Sequence, residues 1–130
     1  MLRFSSLLIV AASLAIAFLA VPNTGQAADL PEGVSLDVLA EYPSKTPGVE
    51  KVLFRILVLK PGASWSLTVP AQSLCQATKG ELEVADHTSG DTLVFKVGDR
   101  WDTSPGHEVT LTNRGAVDHE HLFYTMVVTK

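Results

Sequence analysis

The sequence predicts an all-β domain, either a sandwich or a barrel, and three observations support this fold class. Residues 80–113 are a string of short apolar segments separated by Gly, Pro and Asp turns. Residues 51–59 form a β-branched and aromatic run that is apolar on nearly both faces, as in a strand covered on both sides. No apolar pattern with helical spacing and useful length follows Ala27.

Residues 1–27 have the pattern of a secretory signal peptide. Arg3 gives the start a positive charge, residues 7–21 form an apolar run, and Ala27 ends a small-residue cleavage site. A membrane anchor is the alternative, but the run is shorter than the roughly 20 residues that a spanning helix needs. We therefore expect residues 28–130 to form one domain that is secreted or periplasmic.

The expected mature domain is acidic and contains a single cysteine. Without the leader it carries nine Lys and Arg against fourteen Asp and Glu, a net charge of −5. This charge, together with the lack of a basic stripe, makes nucleic acid and anionic membranes poor partners. Cys75 has no second cysteine with which to form a disulfide. We expect it to be a buried small hydrophobic residue rather than a nucleophile.

The strand segments follow one another at close spacing along the chain. In addition to the segments within residues 80–113, strands are expected over residues 34–39, 51–59, 65–69 and 122–128, and residues 74–84 contain two more strand segments. The first of these is expected to lie at a sheet edge, because turn-rich sequence surrounds it. Residues 74–84 are expected to form a hairpin that turns at Lys79 and Gly80.

The strand over residues 51–59 is expected to be the best-packed element. Side chains alternate between the two faces of a strand, so Phe54, Ile56 and Val58 share one face. We expect that face to be buried and Leu57 to lie on the opposite, covered face. On this interpretation, Ile56→Ala lowers the free energy of unfolding by about 2–5 kcal/mol.

The turn motifs, taken together, resemble the skeleton of a single-domain cupin. In order, the matching segments are Pro61-Gly62-Ala63, Gly80-Glu81-Leu82-Glu83-Val84, Val97-Gly98-Asp99, Pro105-Gly106 and Asn113. Their order and spacing carry the resemblance, which covers residues 52–128, because Gly-Asp and Pro-Gly pairs alone are common turns. The resemblance implies a small jelly roll or β-barrel with the functional pocket inside it.

The positions at which the cupin pattern places its metal ligands hold other residues in this sequence. These positions are Thr68 and Pro70 or, in the other register, Leu67 and Val69 for two histidines, Ser73 for the glutamate, and Val109 for the last histidine. None of these side chains offers the imidazole or carboxylate that a divalent metal requires. The resemblance therefore implies a cupin with a degenerate metal site.

Three histidines provide an alternative metal site. His119 and His121 are two residues apart and point to one face of an extended segment, where such a pair can bind copper or zinc. His107, two residues before Val109, is the best third donor. The interpretation that we favour is that His119 and His121 form an exposed polar lead-in to the last strand. His87 lies in a polar turn and is expected to be solvated.

Two functions follow from the sequence. The first is an exported cupin-like domain without a metal cofactor, which binds a small molecule or serves as an interaction module. Its pocket is expected to be lined by Trp65, Leu67, Val69, His107, Val109 and Leu111. The second is a cupin enzyme of the dioxygenase or isomerase type, with a divalent transition metal held by His107, His119 and His121. The sequence favours the first, because the second requires every ligand to have moved. The sequence is also compatible with a homodimer in which the edge strands of two copies pair.

Overall fold

The computed structural model describes residues 30–130, and the expected signal peptide over residues 1–27 lies outside them. The described part of the chain consists of nine strands and contains no helix. The strands are β1 (Val34–Pro43), β2 (Val49–Leu59), β3 (Ser64–Thr68), β4 (Ser73–Lys79), β5 (Leu82–Asp86), β6 (Thr92–Phe95), β7 (Arg100–Asp102), β8 (Glu108–Thr112) and β9 (His119–Val128). Accordingly, residues 30–130 include no helix that could cross a membrane.

The strands form two antiparallel sheets, as the all-β prediction requires. One sheet has five strands in the order β1-β2-β9-β4-β7, and the other has four in the order β3-β8-β5-β6. The inner faces of both sheets line one cavity, which gives the domain the form of a small jelly roll. β1 lies at an edge of the larger sheet, as expected, but continues to Pro43 because its pairing with β2 extends that far.

The hairpin expected over residues 74–84 is wrong. β4 pairs with β7 and β9, whereas β5 pairs with β6 and β8 in the other sheet. Gly80 lies in the connection between β4 and β5 with a φ of +67°, a backbone conformation that glycine adopts without strain. The turn at Lys79 and Gly80 therefore carries the chain from one sheet to the other.

The two faces of β2 are also opposite to the prediction. Leu57 and Leu59 are buried at 3% and 0% exposure, and they point into the domain. Phe54, Ile56 and Val58 do share a face, but they are only half-buried. That face is the outer one, where the Phe54 ring stacks on Tyr124 with centroids 4.6 Å apart. Apolar character on both faces of β2 gives no indication of which face the other sheet covers.

A comparison of two truncations in β2 tests this assignment. We expect Leu57→Ala to lower the free energy of unfolding by about 2–5 kcal/mol, because it leaves a hole beside the cavity. Ile56→Ala should have a smaller cost of roughly 1–2 kcal/mol, because part of that side chain is already in solvent. Urea denaturation of both variants checks the order. A larger loss for Ile56→Ala would contradict the observed facing.

Asn113 holds the loop between β8 and β9 in place. It is fully buried, and its Nδ2 donates hydrogen bonds to the carbonyl oxygens of Leu59 and Val117, both at 2.9 Å. Its Oδ1 accepts a hydrogen bond from the Gly115 amide, also at 2.9 Å. The side chain thus ties the loop between β8 and β9 to the end of β2.

Candidate functional site

A cavity of about 470 Å³ lies between the two sheets. The six residues that the sequence analysis assigned to a pocket all line it, namely Trp65, Leu67, Val69, His107, Val109 and Leu111. Most of the surface area of the cavity wall is apolar, although the wall also includes charged and hydroxyl side chains. The volume lies within the range of roughly 300–1,000 Å³ that is typical of small-molecule sites.

The register between β3 and β8 explains the apolar side of the cavity. Trp65 pairs with Leu111 and Leu67 pairs with Val109, so these four side chains share one face of the smaller sheet. The residues between them carry hydroxyl groups, which hydrogen bond in pairs on the outer face: Ser64 with Thr112 at 3.1 Å and Ser66 with Thr110 at 2.8 Å. Strict alternation in both strands therefore makes one face a dry wall and the other a solvated surface.

Two stacked aromatic rings contribute to the cavity wall. Phe95 and Trp101 lie with their ring centroids 4.0 Å apart and an interplanar angle of 9°. The rings of Trp101 and His121 pack in a T-shaped arrangement, with their centroids 5.1 Å apart. Phe95 belongs to the smaller sheet and Trp101 to the larger one, so this stack joins the two sheets across the interior.

Arg55 is a cation in this apolar interior that the sequence analysis missed. Its Nη2 donates a hydrogen bond to Thr125 Oγ1 at 2.8 Å, and Thr125 Oγ1 lies 2.7 Å from Ser73 Oγ. The guanidinium carbon lies 4.8 Å from the centroid of the Phe123 ring. Burial lowers the pKa of Arg55, although an arginine stays protonated in proteins. Arg55 lies in the middle of the apolar run of β2, where a charged residue is unusual.

His107 and Asp86 form a pair on the cavity wall. The Nδ1 of His107 lies 2.7 Å from Asp86 Oδ2, and both side chains are partly exposed. The hydrogen bond from His107 lowers the pKa of Asp86 to about 2, and the amides of Ser89 and Thr88 act in the same direction. The imidazole of His107 is thereby fixed in orientation, as the wall residue that the sequence indicated.

His119 and His121 are buried, which contradicts the interpretation that they form an exposed lead-in to β9. They are 0% and 4% exposed, and His119 Nε2 lies 2.8 Å from His121 Nδ1. Burial lowers the pKa of His119 to about 4, and the nearby Lys79 backbone acts in the opposite direction to a smaller extent. The pKa of His121 falls to about 3 through burial, with a smaller contribution from His119. Both imidazoles are therefore neutral at pH 7. By contrast, His87 is exposed and bonded to Thr110, as expected of a turn residue.

Cys75 lines the cavity as a free, buried thiol. Burial raises its pKa to about 12, and the negative charge of Asp102 adds to the shift. A nucleophilic cysteine needs a lowered pKa, because the thiolate is the reactive form. Cys75 thus stays protonated at neutral pH, in keeping with the small buried residue that the sequence indicated.

The chain matches no protein-family model and no curated protein. Among solved structures it is similar to the Cupin_2 domain of an XRE family transcriptional regulator from Enterobacter cloacae, with a TM-score of 0.59 at 15% identity, covering 76% of this chain and 100% of that one. A cupin superfamily protein from Desulfitobacterium hafniense gives 0.56 at 13% identity, over 74% of this chain and 79% of that one. The EutQ protein of Clostridium difficile gives 0.59 at 11% identity, over 77% of each chain.

The fold is that of a single-domain cupin. Identities this low establish the fold alone, and the neighbours differ in the names they carry. The resemblance that rested on the order of the turn motifs is confirmed at this level.

The interior of this domain does not fit the metal centre that the resemblance to cupins implies. In the register of Leu67 and Val69, apolar side chains of the cavity wall replace the two histidines. Ser73, in place of the glutamate, is engaged with Thr125, and Val109 offers only methyl groups. Within residues 30–130, no group of three or more His, Cys, Asp or Glu side chains is arranged to hold a metal ion.

The alternative set of ligands is divided between two pairs in the structure. His119 and His121 bond to each other, whereas His107 bonds to Asp86 of β5. The latter pair was not foreseen, because Asp86 lies in what the sequence shows only as a polar turn. Of the three histidines, His107 and His121 line the cavity.

Proposed function

We propose that this protein is an exported cupin domain that binds a small, largely apolar molecule in its barrel without a metal cofactor. The observation that carries the proposal is the cavity of about 470 Å³, with its apolar walls from both sheets. Apolar walls with a few polar groups are what small-molecule sites usually show. Export is proposed from the pattern of residues 1–27, and the net negative charge argues against nucleic acid as a partner.

The tryptophans of this domain offer a direct test of binding. The chain has two, Trp65 and Trp101, and both line the cavity. N-phenyl-1-naphthylamine is a neutral apolar probe whose emission rises in a dry site. We expect saturable binding at one probe per chain, with energy transfer from tryptophan to the bound probe.

Variants that fill the cavity provide the control. Val109→Phe adds volume inside the cavity and should weaken probe binding by about tenfold or more. Val94→Phe makes the same change at an exposed position outside the cavity and should leave binding unchanged. Leu111→Phe serves as a second filling variant if Val109→Phe disturbs folding. Absence of saturable binding, or equal binding by the filled and control variants, would contradict the proposal.

The proposal also predicts the metal content of the protein. We expect the mature protein, purified without a histidine tag, to carry no stoichiometric transition metal after dialysis. A divalent ion needs several donors converging at about 2.0–2.2 Å, and methyl groups do not replace its hydration shell. Elemental analysis checks this. One zinc, copper, iron or manganese per chain that is lost in His107→Ala or His121→Ala would make the metal-dependent enzyme the leading function.

A further inference from the structure

The Arg55 guanidinium on the cavity wall distinguishes this cavity from a purely apolar binding site. Arg55 follows the same alternation as Leu57, so it is directed inward from the centre of β2. Among residues 30–130, no carboxylate lies within ion-pair distance of it. The cation therefore faces an apolar interior without a counter-ion from the described chain.

The hydrogen-bonding capacity of Arg55 is largely unused. A guanidinium has five N–H donors, and the structure gives Arg55 one hydrogen bond, to Thr125. Its Nε is buried and has no partner. Removing a charge from water is unfavourable unless it is paired and hydrogen bonded. The contact with the Phe123 ring offsets this cost only in part. Such a site is suited to an anion that enters with the ligand.

A second donor lies beside the guanidinium. Thr125 Oγ1 accepts a hydrogen bond from Arg55 and lies 2.7 Å from Ser73 Oγ, and either of these two hydroxyls can donate to the other. When Thr125 donates to Ser73, the hydroxyl proton of Ser73 is free to donate to a ligand. Ser73 lines the cavity together with Arg55. An acceptor group in the cavity can therefore receive hydrogen bonds from both residues.

The charged residues on the cavity wall favour a monoanion over a dianion. Arg55 is the one Lys or Arg on the cavity wall among residues 30–130, whereas Asp86, Asp91 and Asp102 also line it. A dianion such as a phosphate monoester would leave one negative charge unpaired beside these carboxylates. A carboxylate carries one charge and matches the planar fork of arginine with two parallel hydrogen bonds.

We propose that the ligand is a monocarboxylate with an apolar body, whose carboxylate binds Arg55 and Ser73 while the body lies against Trp65, Leu67 and Val109. This inference rests on the proposed function, because it names the ligand class of the same cavity. The competing explanation is that Arg55 is a structural residue held by Thr125 and the Phe123 ring, with no role in binding.

Matched ligand pairs that differ in the head group test the inference. Octanoate with octan-1-ol, and 3-phenylpropanoate with 3-phenylpropan-1-ol, are titrated at pH 7.5 into the full mature protein. Tryptophan fluorescence and calorimetry give the dissociation constants, and the two pairs distinguish an aliphatic from an aromatic body. We expect the carboxylate of the better-fitting pair to bind about tenfold or more tightly than its alcohol.

Variants of Arg55 assign that preference to the side chain. Arg55→Met keeps much of the side-chain volume without the charge, and it should bring the ratio of the two dissociation constants, acid to alcohol, close to one. Arg55→Lys retains a charge without the planar fork and should keep part of the preference. Arg100→Met removes an arginine that is exposed and outside this cavity, and it should keep the full preference.

The outcomes separate this inference from the proposed function. Equal affinity for an acid and its alcohol in the wild-type protein would overturn the inference and leave the apolar site standing, as would a preference that survives in Arg55→Met. Failure of acids, alcohols and N-phenyl-1-naphthylamine alike would overturn both. The wild-type comparison needs no variant, so it holds even if Arg55→Met does not fold.

Discussion

Gly80→Ala is expected to lower the free energy of unfolding by about 2–5 kcal/mol, a large loss for a one-carbon change at a surface connection. The residue has a φ of +67°, which strains any side chain with a Cβ. The added carbon would also meet the carbonyl oxygen of Asp118 and lie 3.1 Å from the Cα of His119. These are backbone atoms at the start of β9, so they cannot move aside as the end of a flexible side chain could.

Gly90→Ala is the matched control for this prediction. Gly90 has a φ of +86°, but a Cβ there would meet nothing within 4 Å. That substitution should therefore carry the conformational strain alone, about 1–2 kcal/mol. Urea denaturation of the two variants at pH 7.5 isolates the cost of the close approach to β9. Equal losses would contradict the prediction, because they would show that the backbone from Asp118 to His119 shifts at little cost. The connection at Gly80 would then not fix the position of β9.

Turn chemistry explains why much of the fold could be predicted from the sequence. Glycines at positions such as 62, 80 and 98 have positive φ and lie between strands, which is a local requirement that a sequence displays directly. Pairing is different, because it depends on residues far apart in the chain. The turn at Gly80 indicates a change of chain direction, but it does not indicate that β4 and β5 pair in different sheets.

In the candidate site, too, the residues that could be predicted are those marked by a local sequence pattern, and those that depend on sheet packing could not be predicted. The alternation in β3 and β8 identifies Trp65, Leu67, Val109 and Leu111 as one face, and the structure places all four on the cavity. Arg55 could not be placed in this way, because both faces of β2 are apolar and only the position of the second sheet decides which one is interior. The burial of His119 and His121 likewise depends on β9 lying in the centre of the larger sheet, between β2 and β4.

The buried histidine pair should make the domain sensitive to mild acid. Lowering the pH from 7 to 5 is expected to reduce the free energy of unfolding by about 2–4 kcal/mol through this pair. In the folded protein, burial lowers the pKa of His119 to about 4 and that of His121 to about 3. In the unfolded chain both take up protons near the usual histidine pKa of about 6.5. The unfolded state therefore binds more protons below pH 6.5, so the stability is complete above that pH and is lost as the pH falls through the folded pKa values of about 4 and about 3.

Urea denaturation between pH 7 and 5 measures this loss, and two variants assign it. The double variant His119→Leu, His121→Phe removes both titrating groups while keeping apolar volume next to Trp101, so its stability should vary much less over this range. His87→Gln removes an exposed histidine and should behave like the wild type. Asp86 does not interfere, because the hydrogen bond from His107 lowers its pKa to about 2, well below the range. An equal loss in the double variant and the wild type would contradict the prediction, as would imidazole resonances of His119 or His121 that titrate near pH 6.5 in the folded protein.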